Sequence, residues 1–232
     1  MSIWSRMTAA VQDIQTVGTD IVERLVEGVA GTEEERRAVA FTAAIVALSA
    51  KMAKADGVVT PTEIAEFRRH VQIPEGEERN VDRLFGLAQQ DVAGFEIYAE
   101  RIARLFPDDP VFRADVVDVL FNIAAADGIV HERELGFLEE VSRIFGIDEI
   151  EFRRIRAGHI REGDGDPYLV LGIEPDADAA EIRRQYRQLV AEHHPDRMIA
   201  RGVPAEFVAI ANDRLAAING AYEQIRRERG IS

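Results

Sequence analysis

Ala53-Lys54-Ala55-Asp56-Gly57-Val58-Val59-Thr60-Pro61-Thr62-Glu63-Ile64 and Ala124-Ala125-Ala126-Asp127-Gly128-Ile129-Val130-His131-Glu132-Arg133-Glu134-Leu135 are two copies of one phrase, 71 residues apart. In each copy an alanine-rich helix stops, the chain turns at Asp-Gly, and a second helix starts. Glycine permits the positive φ at which a helix ends, and aspartate suits the turn. Thr60 and Glu63 have capping-box spacing, with Pro61 at the first helical position. A repeat of this kind predicts one pseudo-symmetric helical domain over residues 32–160.

Upstream of the first copy, the 13 residues Ala38–Ala50 carry no charge. A membrane span needs about 20 apolar residues, so this run predicts a buried core helix. Further upstream, Ile14, Val17, Ile21, Leu25 and Val29 fall on one helical face, which predicts an amphipathic helix within residues 1–31. Its charges are Arg6 and Arg24 against Asp13, Asp20, Glu23 and Glu27. A membrane-surface helix favours a basic polar face, so docking on its own domain or on a partner is expected first. Met1–Arg6 lacks the layout of a signal peptide, and no transmembrane span is expected.

Composition narrows the function classes. The chain has 232 residues, which allows one or two domains. It is 47% hydrophobic and 30% charged, an ordinary globular balance. There is no cysteine, which excludes a disulfide framework, a thiolate zinc site and a cysteine nucleophile. The net charge of −14 argues against broad binding to nucleic acid or anionic lipid. Residues 164–232 hold 9 basic and 12 acidic residues of the chain's 28 and 42, so the acidity lies mainly upstream. The expected location is the cytoplasm, either free or peripheral to the inner face of the membrane.

The two turns resemble half a calcium loop. With Asp56 at position 5, Gly57, Val59 and Glu63 fall at positions 6, 8 and 12; Asp127, Gly128, Val130 and Glu134 repeat the match. Positions 1 and 3 are Met52 and Lys54, then Ile123 and Ala125, so half the oxygen ligands are missing. Asp56, Glu63, Asp127 and Glu134 are therefore weak metal candidates, and turn and cap chemistry explains them better. A metal-dependent hydrolase is disfavoured, because the four carboxylates stand on two distant turns without clustered histidines. No metal or other cofactor is expected.

The polar, glycine-rich segment 161–167 predicts a linker, followed by a second helical unit over 168–232. His194-Pro195-Asp196 alone could be an ordinary turn. The adjacent His193 and His194 cannot share a helix face as metal ligands at i, i+4 would. Arg183, Arg184 and Arg187 cluster on the preceding helix, with Arg197 just beyond the turn. A local basic stripe on an acidic chain suits an acidic partner surface. No phosphate-cradling glycine loop is present.

Two family resemblances arise from these residues. The doubled Ala-x-Ala-Asp-Gly-x-Val-x-x-x-Glu pattern resembles the TerB family, named for tellurite resistance, over roughly residues 33–158. That resemblance implies a compact helical bundle and no catalytic chemistry. The series Tyr168-x-x-Leu171-Gly172, Ile182-x-x-x-Tyr186-Arg187-x-Leu189, His194-Pro195-Asp196 and Ile218-Asn219-x-Ala221-Tyr222 resembles the J domain of the DnaJ family over roughly residues 166–229. It implies binding to a DnaK-type (heat-shock protein 70 class) chaperone and stimulation of that partner's ATPase. By matching position, His194, Pro195 and Asp196 would contact the chaperone, with Arg183, Arg184, Arg187 and Arg197 around them. Tyr168, Leu171, Ile182, Tyr186, Leu189, Leu215, Ile218 and Tyr222 are expected in the core of the hairpin.

The departures are informative. Arg214-Leu215 replaces the common Lys-Phe, and Leu215 is expected to fill the core position. Arg197–Pro204 lengthens the usual connection. A glycine/phenylalanine-rich segment and a cysteine zinc region are missing, so no client-holding module is recognisable. The order of the two units also resembles a membrane-anchored group of DnaJ-like co-chaperones, although the span of that group is not legible here. The expected molecule is all-α: a pseudo-repeated TerB-like bundle followed by a J-domain hairpin. It is expected to be a co-chaperone and not an enzyme. The TerB-like unit would target it or bind a partner not yet identified, and homodimers are left open. The alternative is a stress-response binding protein, linked to tellurite or metals, in which the TerB-like unit is the active part.

Overall fold

The computed structural model describes residue 4 and residues 31–57, 59–73, 75–89, 94–159 and 166–231. Among them it is all helix, with no strand. The N-terminal bundle contains α1 (Glu33–Ala53), α2 (Pro61–Arg69), α3 (Glu78–Ala88), α4 (Phe95–Leu105), α5 (Pro110–Ala124), α6 (Glu132–Phe145) and α7 (Glu149–Gly158). The C-terminal unit contains α8 (Pro167–Leu171), α9 (Ala179–Glu192), α10 (Pro195–Ala200) and α11 (Ile210–Arg229). The face of Ile14, Val17, Ile21, Leu25 and Val29 and residues 161–165 of the linker expected over 161–167 lie outside the described residues; Asp166 and Pro167, at its end, are the N-cap and first residue of α8.

The uncharged run does form a core helix. Every residue of α1 from Val39 to Ala53 is buried, as a helix apolar on all sides requires. Thr32 and Glu35 close a capping box at its start. Helices α3, α4 and α5 surround it. Helix α5 is nearly as deep, yet it carries two buried acids, Asp115 and Asp118.

The repeat is visible in three dimensions. Gly57 and Gly128 take φ of +100° and +94°, where a β-carbon would be strained. Thr60 and Glu63 form the expected capping box, and His131 and Glu134 take the same places in the second copy. Helix α2 packs on the second Asp-Gly turn and on α5, so the two turns come together.

The C-terminal unit is not a freestanding appendage. Met198, Val203, Phe207, Ile210 and Ala211 belong to the hydrophobic core of the N-terminal bundle. The Phe207 ring lies 5.2 Å from that of Phe41, at near right angles, and 6.1 Å from that of Trp4. Trp4 is itself buried, and its indole N–H donates to the Gln72 carbonyl at 3.2 Å. In the other direction, Ala157 of α7 joins the small core formed by Val170, Leu171, Ala177, Ile182, Ile218, Ala221 and Ile225. Each unit thus completes its core with residues of the other.

Candidate functional site

Helices α9 and α11 form the arms of the hairpin that carries the His-Pro-Asp turn. Asp178 caps α9 by accepting from the amides of Ala180 and Glu181, both at 2.8 Å. Those two donors hold its carboxyl below the usual carboxylate range. Ile182 is buried, and Tyr186, Leu189 and Val190 pack around the same core. Tyr186 stacks on Tyr222 with centroids 3.9 Å apart, and its hydroxyl donates to Asn219 at 2.9 Å. These contacts clamp α9 against α11.

Among the expected core residues, Leu171, Ile182 and Ile218 are fully buried and Tyr168, Tyr186, Leu189 and Tyr222 pack against them. Leu215 is the correction. It is only half-buried, and its neighbour Arg214 points inward instead, at 1% exposure. The reason is that α11 faces two cores, and the guanidinium meets the buried Asp118 and the half-buried Glu151 of the bundle.

Helix α9 ends at Glu192 with His193 as its C-cap, and Pro195 opens α10 as its first residue. His194 is the N-cap between them. Its Nδ1 accepts from the Asp196 amide at 3.2 Å. The His194 and Asp196 side chains are 51% and 85% exposed, so the tip faces solvent. Arg184, Arg187 and Arg197 are exposed, and Arg183 is half-buried. The Arg184 guanidinium lies 3.4 Å from Glu181, and Arg187 Nε donates to the Arg183 carbonyl. The structure therefore puts a solvent-facing His-Pro-Asp turn beside a basic helix face.

His193, not singled out as a site residue in the sequence, points the other way. Its ring is buried, with Nδ1 2.5 Å from Asp115 Oδ1 of α5. Burial pushes Asp115 above the usual carboxylate range, against the pull of His193. Nearby, Arg214 reaches Glu151 at 3.1 Å and Asp118 at 3.7 Å, and His159 lies 3.1 Å from Asp118. Burial pushes Asp118 upward, but His159 and Arg214 outweigh it and hold it below its ordinary value. His70 Nδ1 sits 2.5 Å from Asp213, and Arg201 pairs with Asp109 at 2.9 Å. The available signal was the pair of acids at i, i+3 inside the apolar helix α5. Charged residues are rarely buried without partners.

The four turn carboxylates also need correction. They do not stand apart: His131 Nε2 lies 4.0 Å from Asp56 and 3.9 Å from Asp127. The pseudo-symmetric packing of α2 on the second turn brings them together. Glu63 accepts from the amide and hydroxyl of Thr60 at 2.6 and 2.8 Å, and Glu134 accepts from the His131 amide at 2.7 Å. Burial raises both carboxyls above their usual range, helped by neighbouring acids; Glu134 is pushed up to about 7. Among the described residues, no group of three or more His, Asp or Glu is arranged to hold a metal ion. No described helix is long and apolar enough to cross a membrane.

Comparison with known proteins agrees with this architecture. The family model "Tellurite resistance protein TerB" matches residues 42–157, and the DnaJ domain model matches residues 166–229. The chain is 30% identical over 228 residues to the co-chaperone protein DjlA of Photobacterium profundum, covering 85% of this chain and 80% of that one. It is 29% identical to the Coxiella burnetii DjlA over 78% of this chain and 74% of the relative. The Escherichia coli K12 DjlA is 31% identical over a shorter stretch, half of each chain. No solved structure matches. A TerB bundle, a J domain behind it and similarity across both units have one reading: the chain belongs to the DjlA family of J-domain co-chaperone proteins.

Proposed function

We propose that this chain binds a DnaK-type chaperone through its J domain and stimulates that chaperone's ATP hydrolysis. The observation that carries the reading is the orientation of the His-Pro-Asp turn. His194 and Asp196 face solvent, while the opposite side of the loop is packed against the TerB bundle. His194, Pro195 and Asp196 would engage the chaperone. Arg183, Arg184, Arg187 and Arg197 would add electrostatic complementarity to an acidic surface, which speeds encounter more than it adds affinity. The chain would act as a regulator of another protein's hydrolysis, in the cytoplasm, and the TerB unit would recruit a target or partner. The convergent turn carboxylates give a cation-binding reading little support, since Glu63 and Glu134 already accept backbone N–H groups at helix starts.

The test is steady-state ATP hydrolysis by a DnaK-type chaperone with the full chain and with His194→Gln. Several-fold stimulation by the wild type, abolished in the variant, is the expected result. No stimulation by a folded wild-type chain would defeat the proposal.

A further inference from the structure

Two histidines stand side by side at the tip of the hairpin, and the structure uses them oppositely. His194 faces water, whereas His193 is buried. The His193 partner comes from 78 residues upstream, in the other unit: Asp115, on the deep helix α5. The other charges that bear on Asp115, Asp118 and Arg214, act on it electrostatically. Its Oδ2 is buried and has no hydrogen-bond partner. A dry carboxylate is costly to retain, and an apolar residue there would pack as well. What the acid supplies is direction: one short hydrogen bond to one ring nitrogen.

Position explains the importance of that direction. His193 closes α9, its amide donating to the Leu189 carbonyl, and the next residue is the N-cap of α10. The His193 ring therefore fixes the point at which the chain leaves one helix and enters the next. The far side of the loop is fixed as well. Met198 and Val203 are in the bundle core, and Arg201 holds Asp109 at 2.9 Å. The exposed turn is suspended between these anchors, and the bundle supplies the acids, Asp115 and Asp109, that hold His193 and Arg201.

We infer that the TerB bundle is the seat of the J domain, and that Asp115 is a positioning residue which sets the presentation of His194-Pro195-Asp196 through His193. This inference rests on the proposed function and deepens it. The TerB unit would then determine how strongly the J domain activates its chaperone, in addition to where it acts. The basic face of α9 lies outside this contact, so capture of the chaperone and triggering of hydrolysis are separable.

The test uses the full chain with His193→Leu, His193→Asn and Asp115→Asn. Arg214→Met serves as a control, since it disturbs the same seam and reaches Asp115 only through its charge, its own ion pairs being with Asp118 and Glu151. His193→Leu removes the donor and should lower maximal ATPase stimulation by about tenfold, as misplacement of a contact group does. The concentration giving half-maximal stimulation should change little. The amide of Asn can stand where Nδ1 stood, so His193→Asn should recover much of the maximum, with Asp115→Asn in between. Arg214→Met should lower the unfolding temperature but leave the maximum unchanged where it is folded. A folded His193→Leu chain that stimulates like the wild type overturns the inference. So does an Arg214→Met chain that loses as much maximum as His193→Leu at equal folded fraction. If the wild type itself stimulates nothing, the proposed function fails, and loop geometry decides the inference separately. NMR signals of His194 and Asp196 should move in His193→Leu and return in His193→Asn; unchanged signals refute the positioning role.

Discussion

The tip of the J hairpin and the seam behind it contain the same kinds of residue: histidine, aspartate and arginine. At the tip, His194, Asp196 and Arg184 lie in water, each more than half exposed. At the seam, His193, Asp115, Asp118 and Arg214 are at most 5% exposed. An exposed charge is inexpensive to hold and inexpensive to alter, so it is free to serve a partner. A buried charge must be paired, and its pair then fixes where two surfaces meet. Residue type does not separate a recognition surface from a hinge pin; hydration does.

Substitutions can break that contrast. The largest effect is expected from Arg214→Ala, which takes the shared guanidinium away from Glu151 and Asp118 and leaves the buried Asp118 with His159 alone. Removing one partner of a buried ion network costs about 3–5 kcal/mol, readable by urea denaturation. A loss below 1 kcal/mol would show that the seam is wet.

A smaller effect, of opposite sign, is expected from Glu134→Gln. The folded-state pKa of Glu134, about 7, lies above its ordinary 4.5. The stability tied to its proton is therefore complete below pH 4.5 and lost as the pH rises through 7. Glutamine keeps an acceptor for the His131 amide and does not ionise. The variant should match the wild type at pH 4 and gain about 1–2 kcal/mol at pH 8. Melting curves at the two pH values check this, and an equal loss at both would refute it.

The smallest effect belongs to the tip. Arg184→Ala removes an exposed i, i+3 pair with Glu181 and should change stability by at most about 0.5 kcal/mol. Its effect should appear in the rate of chaperone association, and that difference should shrink as salt is added. A stability change comparable to that of Arg214→Ala would erase the contrast between tip and seam.

Much of the fold was legible because local rules determine it. The capping box at Thr60 and Glu63 and the buried helix over Ala38–Ala50 follow from spacing alone. The His-Pro-Asp turn was legible from its order among the hairpin residues. The seam was not legible. His193 meets Asp115 across 78 residues, Arg214 meets Glu151 across 63, and His159 meets Asp118 across 41. Helical periodicity has no reach over such distances. The inward turn of Arg214, in place of Leu215, has the same origin, since α11 answers to two cores and the periodic pattern reports only apolar faces. The convergence of the two Asp-Gly turns also depends on how two repeats pack, which neither copy encodes by itself.

Trp4 is the chain's single tryptophan, and it lies against Phe207 where the two units join. Indole fluorescence depends on local polarity, and this indole is dry, with its N–H on a backbone carbonyl. The whole emission of the chain above tyrosine therefore originates at one spot on the joint. The molecule carries its own optical gauge of whether the J domain is seated, readable during chaperone binding without an attached dye.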